Sequence, residues 1–244
     1  MQTTGSARTL RVMDPARPLV LLPDGDGPHP GVVLGCEAYG VNEFIREVGD
    51  RLRSRGYAVA IPDYYEGGGP TDREAYEDFT EVVEHIGRLD FTRATRTLVR
   101  GVDELRETPG VDPARVAVWG YCTGATLAWL AACQRDVAAA VLYFPSQPTF
   151  GELGPNTPVH PIDLLWMLDC PTLFIYGDDD QVMPPELLAD LHRRIERWDV
   201  PAEVRTYPGA GHAFTVPFGP LRNADAAATA NRDADEFLER ALRS

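Results

Sequence analysis

Residues 115–130 read Arg-Val-Ala-Val-Trp-Gly-Tyr-Cys-Thr-Gly-Ala-Thr-Leu-Ala-Trp-Leu. An apolar, β-branched run meets an Ala/Leu-rich run through Gly-x-Cys-x-Gly, and the stretch reads as strand, sharp turn, helix. A residue at such a turn is pushed into strained backbone, so the positions two either side of it must be small, and Gly120 and Gly124 supply that. Cys122 then stands at the apex. The first turn of the following helix leaves unpaired N–H groups and a partial positive charge beside the sulfur, which favours thiolate over thiol and an oxyanion formed next to it. The plainer alternative is a buried cysteine whose glycines serve close packing, and the rest of the chain has to decide.

The chain alternates. Short apolar runs at 31–36, 57–61, 138–144 and 171–177 have the length of strands buried on both faces, and residues 202–207 read as a final strand. Helical periodicity separates them: Phe44, Ile45, Val48 and Leu52 behind an Asn42 cap; Tyr76, Phe79, Val82, Val83 and Ile86 within 71–87; Leu98, Val99, Val102 and Leu105 within 92–108; Leu187, Leu188, Leu191, Ile195 and Trp198 after Pro184-Pro185; and a closing amphipathic stretch at 224–242. Two opening strands are expected near 9–13 and 19–22. This order predicts an α/β fold, a mostly parallel sheet with helices on both faces, forming a single domain over residues 1–244. Residues 146–161, rich in proline, glycine and polar residues, predict a lid or pocket wall.

With 23 basic residues against 37 acidic ones the formal net charge is −14, which disfavours a nucleic-acid or anionic-membrane partner. All the basic residues are arginine, so Schiff-base chemistry from a lysine is excluded. No apolar run approaches the roughly 18 residues of a membrane span, and the first ten residues lack the apolar centre of a secretion signal. The four cysteines show no Cys-x-x-Cys pairing and no metal-ligand spacing with histidine. The expectation is a cytoplasmic protein, monomer or homodimer, without metal or cofactor, whose partner is a small molecule.

Three side chains fall at carboxyl ends of strands in the order Cys122, Asp180, His212. Nucleophile, acid, histidine is the chain order of an α/β-hydrolase. A thiol needs a base, an imidazole titrates near neutrality, and a carboxylate fixes the imidazole's tautomer. Spacing alone does not choose among Asp178, Asp179 and Asp180. The other histidines do not follow strand ends: His85 and His192 lie on helices, His29 and His160 in loops.

Five blocks carry a family resemblance: Cys-Glu-Ala-Tyr-Gly-Val-Asn-Glu-Phe at 36–44, Gly-Tyr-Ala-Val-Ala-Ile-Pro-Asp-Tyr-Tyr at 56–65, Gly-Tyr-Cys-Thr-Gly at 120–124, Tyr-Gly-Asp-Asp-Asp-Gln-Val-Met-Pro at 176–184 and Gly-Ala-Gly-His-Ala-Phe at 209–214. In order, from about residue 31 onward, they resemble the dienelactone hydrolase family of α/β-hydrolases. The resemblance selects Asp180 among the three aspartates and implies that Glu37 lies close to the cysteine and takes part in its activation. It implies hydrolysis of a lactone or activated ester through a Cys122 acyl-thioester, with an oxyanion hole from the Thr123 and Ala38 N–H groups.

The departures bear on specificity. Relatives that take dienelactone hold its carboxylate with arginines, one of them four residues past the histidine, where this chain has Val216. The other falls in the 71–93 region, where Arg73, Arg88 and Arg93 are candidates. Val216, Tyr39, Tyr65, Tyr143 and Phe144 are the expected walls of a more apolar pocket, so the expected substrate is not dienelactone itself. Two rival readings are a cyclase or acyltransferase that uses the same cysteine, and a binding protein that keeps the fold without chemistry.

Overall fold

The computed structural model describes residues 17–71, 76 and 79–243. Seven strands are described: β1 (Leu19–Leu21), β2 (His29–Gly35), β3 (Ala58–Ile61), β4 (Val111–Tyr121), β5 (Ala140–Tyr143), β6 (Thr172–Gly177) and β7 (Ala202–Tyr207). They form one sheet in the order β1-β3-β2-β4-β5-β6-β7. Only β1 runs antiparallel, against β3; every other pair is parallel. The helices are α1 (Glu43–Ser54), α2 (Phe79–Arg88), α3 (Phe91–Glu107), α4 (Thr123–Ala132), α5 (Pro185–Trp198) and α6 (Ala224–Arg243), with a 3-10 helix at Pro161–Met167. This is the α/β-hydrolase fold.

The centre of the sheet is the most apolar part. β2 and β4 pair in register from Gly31 with Val116 to Gly35 with Gly120, and every residue from Val32 to Leu34 and from Val116 to Trp119 is fully buried. All ten residues of α4 are buried, so this helix is an inner layer with no amphipathic stripe. The aromatic body of the core includes Trp129 of α4 itself and Trp119 of β4, both wholly enclosed. Each such side chain contributes about 2–3 kcal/mol by leaving water.

Several sequence expectations need correction. Of the two opening strands, residues 9–13 lie outside the described residues, and the second is β1. The helix expected over 71–87 is described only from Phe79 to Arg88, with Phe79 and Val83 turned outward. β2 begins at His29 rather than Gly31, because the His29 N–H bonds the Gly110 carbonyl and starts the ladder early, so His29 is not in a loop. α3 starts at Phe91, capped by the Asp90 carboxylate on the Arg93 N–H. The 146–161 segment is tied back to the start of α3 by an Asn156 carbonyl on the Phe91 N–H and by Phe150 packed edge-on against Phe91.

Candidate active site

In a parallel sheet all strand carboxyl ends open on one edge, so Glu37 after β2, Cys122 after β4, Asp180 after β6 and the His212 turn after β7 share that edge. Two glycine contacts draw them together. A Cβ on Gly124 would strike the Cys36 carbonyl oxygen and come within 2.5 Å of the Gly35 carbonyl carbon, so α4 begins directly against the end of β2. A Cβ on Gly177 would strike the Ala210 carbonyl oxygen, so the end of β6 lies against the His212 turn. Cys122 itself has φ 51° and ψ −120°, a conformation that a non-glycine residue adopts only under constraint.

The resulting geometry is a linear relay. Cys122 Sγ lies 3.2 Å from His212 Nε2, and His212 Nδ1 lies 3.0 and 3.1 Å from the two carboxylate oxygens of Asp180. Asp180 Oδ1 also accepts the Val182 N–H at 2.8 Å, which fixes the carboxylate's orientation. Its neighbours are committed elsewhere: Asp178 accepts the Gly209 N–H, and Asp179 accepts the Gln181 amide.

Burial pushes the Cys122 thiol up, but the charge and hydrogen bond of His212, the Ser146 hydroxyl and the Thr123 N–H outweigh it and hold the thiol below its ordinary range. Burial alone would keep His212 neutral. The charge of Cys122 and the hydrogen bonds to Asp180 and Cys122 outweigh that and raise the imidazole to about 10. The two shifts describe one thiolate–imidazolium pair.

Glu37 is buried, and burial raises its carboxyl to about 8 against the pull of its hydrogen bond from Asn42. Asn42 Nδ2 donates to Glu37 Oε1 at 3.0 Å and to the Tyr76 hydroxyl at 2.7 Å, while its Oδ1 caps α1 on the Ile45 N–H at 3.1 Å. A carboxyl whose folded pKa lies above its unfolded value binds a proton in the folded state that the unfolded chain has released, so it subtracts stability as pH rises. Glu37→Gln is therefore expected to match the wild type near pH 4.5 and to gain on it progressively up to about pH 8. Denaturant unfolding at pH 5 and pH 8.5 checks this; equal stability of the two proteins at both pH values would contradict it.

Residues 17–242 match the model of the dienelactone hydrolase family. The chain belongs to that family. Dienelactone hydrolase relatives include a Yersinia pestis protein that carries the name carboxymethylenebutenolidase, 30% identical over 202 residues, covering 82% of this chain and 74% of that one. A Bradyrhizobium protein named as a 2-oxo-3-(5-oxofuran-2-ylidene)propanoate lactonase is 28% identical over 203 residues, covering 83% and 78%. A crystal structure from Klebsiella pneumoniae, named as a dienelactone hydrolase, superimposes with a TM-score of 0.80 at 26% identity and covers 89% of each chain. The protein is accordingly an enzyme of the lactone- and ester-hydrolysing kind.

Against the dienelactone hydrolase pattern, the expected pocket walls divide. Tyr39 stacks face to face on Tyr76 at 3.7 Å, and Phe218 meets Tyr76 edge-on at 4.8 Å, an aromatic group that joins the Ala38 loop to the turn after His212. Tyr65 is half-buried, its hydroxyl on the Ala38 carbonyl. Tyr143 is not a pocket wall: it is fully buried on β5 and its hydroxyl donates toward Asn231 and Ala230 of α6. Phe144 is also enclosed and lies edge-on to the His212 ring at 5.2 Å, so it braces the imidazole. Val216 is withdrawn into the core. Small strand-end spacing hides these outcomes from the sequence, because alternate residues face opposite sides of the sheet. Among the arginine candidates, Arg88 pairs with Glu84 and Arg93 with Glu66 on the exposed surface, and Arg73 lies outside the described residues. Tyr64, Ser146 and Asn42 touch the site without having been expected as site residues. Their contacts run through single hydroxyl or amide groups, for which no spacing rule exists.

Among the described residues no helix is long and apolar enough to cross a membrane.

Proposed function

We propose that this enzyme hydrolyses a neutral lactone or activated ester through a Cys122 acyl-thioester. The observation that supports it is the 3.2 Å approach of His212 Nε2 to Cys122 Sγ, with Asp180 on the opposite ring nitrogen. The thiolate attacks the carbonyl carbon, and the carbonyl oxygen takes the negative charge beside the Thr123 and Ala38 N–H groups. The imidazolium gives its proton to the departing alkoxide or enolate. His212, now neutral, takes a proton from water as that water attacks the thioester, and the acid leaves as the thiolate–imidazolium pair re-forms.

Thiolate is a good leaving group, so the first adduct tends to expel sulfur again. A strained or activated ester, whose own leaving group departs easily, escapes that return. Glu37, with its raised pKa, is a nearby carboxyl that exchanges a proton in the working range. The substrate named for the Bradyrhizobium relative is a carboxylate. Here, among the described residues, Val216 offers it no charge, and Arg88 and Arg93 are already paired with acids. A neutral acyl group against the Tyr39 and Tyr76 rings fits better.

The experiment is a comparison of neutral butenolides and aryl esters with dienelactone on the purified protein. Neutral compounds are expected to give the higher kcat/KM, with an acyl adduct on Cys122 visible by intact mass under rapid quench. Efficient opening of dienelactone with neglect of the neutral lactones would overturn the substrate class. Reaction in 18O-labelled water is expected to place the label in the released acid; an unlabelled acid or transferred acyl group would favour an acyltransferase instead.

A further inference from the structure

The oxyanion hole proposed above depends on where the Ala38 N–H points, and that direction is set by its own peptide group. A trans peptide is planar, so the Glu37 carbonyl and the Ala38 N–H lie in one plane and point opposite ways. Whatever anchors the carbonyl aims the N–H. The Glu37 carbonyl receives the Tyr64 hydroxyl at 2.6 Å and the Gly40 N–H at 3.0 Å. Tyr64 is buried, and its hydroxyl also lies 3.2 Å from the Cys36 carbonyl, so the ring is held between two successive peptides. The Ala38 N–H, on the far side of the plane, has no acceptor among the described residues. An N–H left open in a residue this buried is costly unless a ligand completes it.

We infer that Tyr64 is a positioning residue for the oxyanion hole: through the Glu37 carbonyl its hydroxyl holds the Ala38 N–H toward the carbonyl oxygen of the bound ester. The inference rests on the cysteine-hydrolase reading. Tyr65 supplies the contrast. Its hydroxyl holds the Ala38 carbonyl at 3.0 Å, which belongs to the next peptide and sets the direction of the Tyr39 N–H instead.

Two reactions at the same sulfur separate aiming from packing. Ester hydrolysis builds an oxyanion; alkylation by iodoacetamide is displacement at saturated carbon and builds none. Tyr64→Phe is expected to lower kcat for an activated ester by on the order of tenfold or more, less than deletion of a donor outright, with KM little changed. Its alkylation rate and pH profile are expected to match the wild type, and Tyr65→Phe is expected to lose less turnover than Tyr64→Phe. Wild-type kcat in Tyr64→Phe overturns the inference, and so does a parallel loss of turnover and alkylation, which marks a packing role. If Tyr64→Phe does not fold, 3-fluorotyrosine at position 64 keeps the ring and changes the hydroxyl's donor strength. Altered turnover with unaltered alkylation then supports the inference, and unaltered turnover overturns it. A wild-type protein that turns over no lactone or ester removes the underlying reading, a result seen before any variant is made.

Discussion

His212→Asn is expected to lower turnover of an activated ester by about four orders of magnitude and to move alkylation of Cys122 to higher pH. The first effect follows from three lost tasks: holding the thiolate, protonating the leaving group and activating water. The second follows from the balance at the sulfur. Burial is the largest influence on Cys122 and pushes the thiol up; the imidazolium is the next largest and pushes it down. Removing the ring leaves burial opposed only by the Ser146 and Thr123 hydrogen bonds, so the thiol stays protonated through neutrality. Rates of iodoacetamide modification across pH test this without substrate. In the wild type the rate should level off below the ordinary thiol range, and in the variant it should keep rising past it. Coincident profiles would show that the thiolate does not depend on His212, and the relay between Cys122 and Asp180 would lose its meaning.

Gly124→Ala is expected to cost about 4 kcal/mol or more of folding stability. The size of the effect is a contest between two opposing terms. Alanine is the better helix former, and inside an exposed helix the change would gain about 1 kcal/mol. Here the new methyl meets backbone: the Cys36 carbonyl oxygen, and the Gly35 carbonyl carbon and oxygen at 2.5 and 2.6 Å. No side-chain rotation relieves such an overlap, so α4 or the end of β2 must move by more than an ångström. The same shift would carry Glu37 and Ala38 away from Cys122, and any folded fraction should be poorly active. Urea unfolding of the variant measures the stability, and a loss under about 1 kcal/mol would mean that the two segments are not in contact.

The sheet is legible because strands buried on both faces leave unbroken apolar runs; β7, an edge strand that is only partly buried, is the exception, although its limits at 202–207 are those expected. Helix starts were less legible. Asp90 caps α3 from a position outside the periodic pattern, and α2 presents Phe79 and Val83 to solvent, so its apolar spacing overstates its packing. Cys122, Asp180 and His212 were readable as a group because each sits where a strand ends, and strand ends are what an α/β sequence marks most clearly. The pocket walls were not. Tyr143 and Phe144 are adjacent at the end of β5, and which way each ring turns depends on the packing of α6 and of the histidine turn, elements far away in the chain. Tyr64 and Ser146 act through one hydroxyl each, and a hydroxyl's partner is decided by distances of a few tenths of an ångström that no residue pattern encodes.

Three non-glycine residues with left-handed backbone meet in this one place: Cys122 at φ 51°, Phe144 at φ 40° and Ala213 at φ 58°. They are the sulfur-bearing residue, the ring that braces the imidazole and the residue after the imidazole. Each conformation costs on the order of 1 kcal/mol or more, held in place by the rest of the fold. Glycine at 213 would relax the chain there, whereas glycine at 144 would remove an enclosed ring and leave a cavity that costs more than the strain it relieves. A gain at 213 would come from the turn that carries the imidazole, so durability and speed compete at that position. Thermal hardening of this enzyme belongs on the solvent faces of α5 and α6 and not on α2, which packs against Ala38 and Tyr39 beside the site.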